Sequence, residues 1–132
     1  MRQLWYAVQV AIATMGSFTA WFMGGIDGYI HVLVAFMSVD YVTGVLTSVI
    51  KHKLSSQIGS KGILQKVMIF MIIGLSNLVD KYLLLDSGML RMVVIFFYIS
   101  NEGVSILENA DAMGLPIPAK LKKVLSQFKE DK

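Results

Sequence analysis

From Gln3 to Ile26 the chain carries no formal charge. A helix of that length, rising 1.5 Å per residue, crosses the ~30 Å hydrocarbon core of a bilayer. Three more apolar segments follow, so the expected spans fall at about residues 4–26, 29–50, 63–85 and 88–110. The remaining composition agrees: 55% of residues are hydrophobic and 16% charged, and the mean hydropathy is +0.64. A soluble chain of 132 residues has more surface to cover with polar groups than this one supplies. A cleaved signal peptide competes for the first segment, because Arg2 precedes it. Against that reading, the uncharged stretch exceeds a normal signal-peptide core, Gln9 interrupts it, and no small-x-small cleavage site follows promptly.

The cations orient the spans. Arg2, Lys51, Lys53, Lys61, Lys66 and the tail lysines up to Lys132 fall on one side, whereas only Lys81 and Arg91 fall on the other. The positive-inside rule then places both termini and the second connection in the cytoplasm of a multi-pass membrane protein. The expectation is an all-α integral membrane protein of four transmembrane helices over 1–115, with a basic amphipathic tail over 116–132. Three spans, with the first segment peripheral, are the alternative. In the tail, Leu121, Val124, Leu125 and Phe128 recur at helical spacing, with Lys120, Lys122, Lys123 and Lys129 beside them. That pattern suits a helix on an anionic lipid surface, or one packed on a neighbouring subunit. Membrane topology accounts for these lysines and for the pI near 9.2, and no nucleic-acid partner is expected.

Polar groups inside the apolar segments are the informative exceptions. In the fourth segment, Tyr98, Asn101, Glu102, Ser105, Glu108 and Asn109 share roughly a third of the helix circumference. In the second, Asp40, Thr43, Gly44, Thr47, Ser48 and Lys51 do the same. Both segments run in the same direction, which sets Asp40 and Glu102 at comparable depth. An ionised carboxylate at the bilayer centre costs about 2.5–3.5 kcal/mol on insertion scales. The two carboxylates are therefore expected either to be protonated or to hydrogen-bond to Tyr41, Asn77, Tyr98 or Asn101. The stripes serve as interhelical glue, or they line a pore, a proton path or a wet subunit interface. Ala13, Gly16, Ser17, Ala20 and Gly24 form a small-residue row suited to close helix approach.

There are no cysteines, His31 and His52 lie near opposite membrane faces, and no Ser/His/Asp set or phosphate-binding glycine loop occurs. The sequence calls for no enzyme activity, no cofactor and no metal.

Three stretches, DYVTGVL, KLSSQIGSKGILQK and FYISNEGVSILENADAMGLPIPAKLKK, resemble the phage holin and toxin-secretion holin family of Gram-positive bacteria and their phages. The resemblance covers about Leu33 to Leu125, with the motifs in order and at the right spacing. The family's motif positions fall on Asp40, Tyr41, Gly44, Ser55, Ser56, Gly59, Gly62, Lys66, Asn101, Glu102, Ser105, Glu108, Asn109, Gly114, Pro116 and Pro118. The resemblance implies a homo-oligomer in the host cell membrane that assembles and opens lesions at a programmed time. Through them a cell-wall hydrolase (endolysin) or a toxin leaves the cytoplasm. It also implies three spans where the charge pattern favours four. An antiholin, a small ion channel and a small multidrug-type proton-coupled transporter are the alternatives. The transporter type carries a membrane-embedded Glu in its first helix, and this chain has none there.

Overall fold

The protein, described by a computed structural model over residues 1–53 and 56–130, is built entirely of helices in that range: α1 (Arg2–Phe22), α2 (Gly28–Ile50), α3 (Ser56–Leu83), α4 (Met89–Ala112) and α5 (Ala119–Glu130). Ser55 and Lys132, and the side chains of Leu125, Phe128 and Lys129, lie outside the described residues.

The helix ends have local causes. Asp27 caps α2, its Oδ1 accepting from the Ile30 N–H at 3.1 Å. At the other end of α4, Gly114 takes a left-handed φ of +87°, and the Gly114 and Leu115 N–H groups bond back to the Asp111 and Ala110 carbonyls. That pairing closes the helix, and Pro116 prevents its resumption.

α2, α3 and α4 form the bundle, with the most extensive packing between α2 and α4. Its core consists of Ile30, Leu33, Met37, Ile69, Ile73, Ile95 and Met23. Outward, Val32, Val39, Val42, Leu46, Val67, Leu75, Val93 and Phe97 are exposed. Apolar groups thus occupy both the core and the outer surface, as hydrocarbon solvent permits and water does not. In lipid, no hydrophobic drive distinguishes inside from outside, so close packing and interhelical hydrogen bonds hold such a bundle.

Among the described residues, three helices are long and apolar enough to cross a membrane: Gly28–Ile50, Gly59–Leu83 within α3, and Met89–Ala112. α1 has comparable length but is not one of them, its run being diluted by Gln9, Thr14, Ser17 and Thr19. None of its residues is buried. It is attached by its C-terminal end alone, where the Phe22 ring lies over Gly74 so closely that any Cβ there would overlap the ring. Asn77 of α3 donates to the Phe22 carbonyl at 3.1 Å. The small-residue row finds no partner in α3 through Gly16, which has nothing within 4 Å of a would-be Cβ.

Candidate functional site

Near the middle of the bundle, one ammonium from α3 joins one carboxylate from α2 and one from α4. Lys66 Nζ lies 3.1 Å from Asp40 Oδ2 and 3.1 and 3.2 Å from the two Glu102 oxygens. The Glu102 residue is 4% exposed, while the side chains of Lys66 and Asp40 are 20% and 17% exposed. The other Asp40 oxygen accepts from Asn109 Nδ2 at 3.1 Å, and the same amide nitrogen reaches the Asp40 carbonyl and Thr43 Oγ1. Thr47 Oγ1 closes the network with a long bond, 3.4 Å, to the Asn109 carbonyl. Gly44 belongs here sterically: a Cβ on it would stand 3.7 Å from the Asn109 amide.

Beside this network opens a polar groove of about 640 Å³ between the three helices. Ser105 and Glu108 of α4 line it with Ser48, Ser56, Ser60 and Gln65, and Lys66 and Asp40 form its inner end. Tyr41 leans across the small residues of α3, its hydroxyl 3.3 Å from where a Cβ on Gly59 would stand. Its lining comes from the C-terminal halves of α2 and α4 and the N-terminal part of α3.

The structure brings Asp40, Glu102 and Asn109 of the two stripes together, with partners that differ from those expected. The carboxylates bond to Lys66 and Asn109. Tyr98 packs against the apolar core, Asn77 serves the end of α1, and Asn101 turns to a different groove beside Phe96 and Phe97. An apolar segment that begins at Ile63 makes Lys66 a terminal cation and conceals it as a counter-ion. The helix begins at Ser56, a full two turns earlier. A lysine within ILQKVMIF, facing two carboxylates in other segments, was the signal that could have revealed it.

A second polar assembly, also missed, sits at the opposite end. Asp80 of α3 is 1% exposed and accepts from the Leu90 and Arg91 N–H groups at 3.0 and 2.7 Å, capping α4 from another helix. This is needed because the residue at the cap position, Gly88, has no side chain to do it. The Arg91 guanidinium donates to the Met23 and Gly25 carbonyls and, at 2.8 Å, to Asp27 Oδ2. Arg91 holds the Asp27 carboxyl below its ordinary range by that hydrogen bond, against the opposing effect of partial burial.

In the tail, Lys120, Lys122 and Lys123 are exposed on α5, and Lys122 pairs with Asp111 at 3.4 Å. Among the described residues no group of three or more His, Cys, Asp or Glu is placed to hold a metal.

The sequence profile of the bacteriophage holin family matches residues 17–130. The "uncharacterized 14.9 kDa protein in nagH 3′ region" of Clostridium perfringens is 39% identical, over 95% of each chain. The Listeria monocytogenes protein Lmo0128 is 36% identical over 92% of this chain and 86% of its own. YqxH of Bacillus subtilis is 33% identical over 83% and 76%. No solved structure matches.

Proposed function

The chain belongs to the bacteriophage holin family, and from that membership we propose that it assembles in the cytoplasmic membrane and opens lesions that release an endolysin or a toxin. The carrying observation is the Asp40–Lys66–Glu102 set with Asn109, enclosed by helices whose outer faces are apolar. In the compact protein these groups satisfy one another. With both carboxylates ionised, one negative charge is left unmatched by the single ammonium. Assembly of many copies turns the polar faces of α2 and α4 toward a shared lumen, where water solvates that charge, while Val, Phe and Leu keep facing lipid.

The lysine-rich end, with α5 and its lysines on the lipid surface, lies in the cytoplasm on the positive-inside rule. α1 is a fourth, peripheral crossing in this reading, supported by its length and lack of charge after Arg2. The membrane potential holds the closed form. Moving one charge through 100 mV is worth about 2.3 kcal/mol, enough to tip a balance between two packings.

Expression of the protein alone in a bacterium, recording membrane potential and release of a folded cytoplasmic enzyme together, tests this. Abrupt depolarisation after a delay, with the enzyme escaping, is the expected result. Depolarisation without enzyme release makes the protein a small channel. Silence despite insertion makes it an antiholin or a transporter, and either outcome overturns the proposal.

A further inference from the structure

The outer face of α4, whose Phe96 edge packs against the Tyr29 ring of α2 at 5.5 Å, holds a groove of about 350 Å³ lined by Val93, Phe96, Phe97, Ser100, Asn101 and Val104. It is apolar except for Ser100 and Asn101, and Asn101 stands at the midpoint of α4 (Met89–Ala112). A side chain so short cannot reach either membrane surface from there. Ser38, Thr43, Thr47 and Ser76 each donate to the carbonyl four residues back. Among the described residues no such bond is made by Ser100, and none reaches the Asn101 amide. Glu102 and the Asn109 amide nitrogen by contrast hydrogen-bond on the inner face.

We propose that this groove is a self-association surface, occupied by the same face of α4 from a second copy of the chain. A polar amide at mid-depth in hydrocarbon lacks water and gains from any partner. A carboxamide is both donor and acceptor, so two copies satisfy each other by exchanging one N–H···O bond each way. Two chains inserted in the same orientation are related by a twofold axis along the membrane normal, which brings each α4 position against its own counterpart. The groove flanked by Phe96 and Phe97 accommodates the partner's aromatic rings on either side of the amide pair. This rests on the reading of α4 as a membrane crossing, and it names the contact from which the proposed assembly grows.

The protein has no native cysteine, so single substitutions report this geometry cleanly. In membranes, Val93→Cys and Phe97→Cys are each expected to form disulfide-linked dimers on mild oxidation, whereas Val67→Cys on α3 does not. Adding Asn101→Val to the Phe97→Cys protein is expected to lower dimer yield about fivefold, the scale of one lost interhelical hydrogen-bonded pair. Asn101→Gln, which keeps the amide, retains most of it. The interface is overturned if Phe97→Cys dimerises no more than Val67→Cys, which leaves the groove to lipid or to α1. It is equally overturned if Asn101→Val leaves the yield unchanged. Release of the cytoplasmic enzyme, scored in the same cells, is separate: dimers without release contradict the lesion reading and leave this interface standing.

Discussion

At the Asp27–Arg91 end of the bundle, charged side chains meet backbone; in its middle, charged side chains meet one another. Asp80 and Arg91 satisfy amides and carbonyls that the helix ends leave unpaired, and Asp27 caps α2 while pairing with Arg91. Those backbone groups exist whatever side chains surround them, so the outer clamp has no neutral substitute of equal worth. The central set of Asp40, Lys66 and Glu102 satisfies chiefly its own members. Such a set can often be replaced wholesale by well-packed hydrophobic groups of similar volume without loss of stability. On the proposed function, a set that can be replaced in this way, at the depth where charge is most expensive, is the one to connect with opening.

The largest expected effect lies in the clamp. Arg91→Met should destabilise the bundle by about 3 kcal/mol, the order found when one member of a buried pair is removed. Adding Asp27→Asn should not restore it, because the Met23 and Gly25 carbonyls stay unpaired. Asp80→Ala, which uncaps α4, should cost about 2 kcal/mol, and Asp80→Asn less, as one acceptor remains. Both are read from unfolding in detergent micelles.

The central set should behave otherwise. Lys66→Met alone is expected to lose about 1–2 kcal/mol, discounted for the partial exposure of the lysine. The triple change Lys66→Met, Asp40→Leu, Glu102→Met, which puts hydrophobic side chains of similar volume at all three positions, should return to within about 1 kcal/mol of the original protein. If the triple protein is as unstable as the single one, the contrast between the two assemblies collapses.

The smallest effect is one of pH. Asp27 has a folded pKa below its ordinary 3.8, owing first to the Arg91 hydrogen bond. Its contribution to stability is therefore complete above about pH 4 and is lost as pH falls through the lower folded value. Unfolding midpoints between about pH 2 and 6 should show a shallow acid limb that Asp27→Asn flattens.

Much of this was written in the sequence, because hydrocarbon solvent leaves long apolar runs with few alternatives to a helix. The expected spans at 29–50 and 88–110 and the helices Gly28–Ile50 and Met89–Ala112 nearly coincide, since Asp27 and Gly114 punctuate them sharply. The start of α3 was obscured by SSQIGSKG, whose polar and glycine content reads as loop. That error hid Lys66. The comparable depth of Asp40 and Glu102 follows from helical periodicity and parallel direction, whereas their convergence on Lys66 does not. The role of Asp80 could not follow, because a cap supplied by another helix has no local spacing to betray it. α1 shows the limit from the other side: length and absence of charge mark its segment as a span although Gln9, Thr14, Ser17 and Thr19 already dilute it, and its lack of buried residues appears only in three dimensions.

The central claim is that the polar face of α4 is dry before the lesion opens and wet afterwards. Tyr98 is the place to ask, since it belongs to that face and packs against the apolar core one turn beyond Glu102. Tyr98→Cys and, as a lipid-facing control, Leu75→Cys would be treated with a membrane-impermeant thiol reagent in membranes accessible from both sides, before and after depolarisation. The account predicts that Tyr98→Cys reacts about tenfold faster afterwards, as a thiol that gains water can ionise, with Leu75→Cys unchanged. Equal and slow labelling of both after the lesion has formed would contradict it.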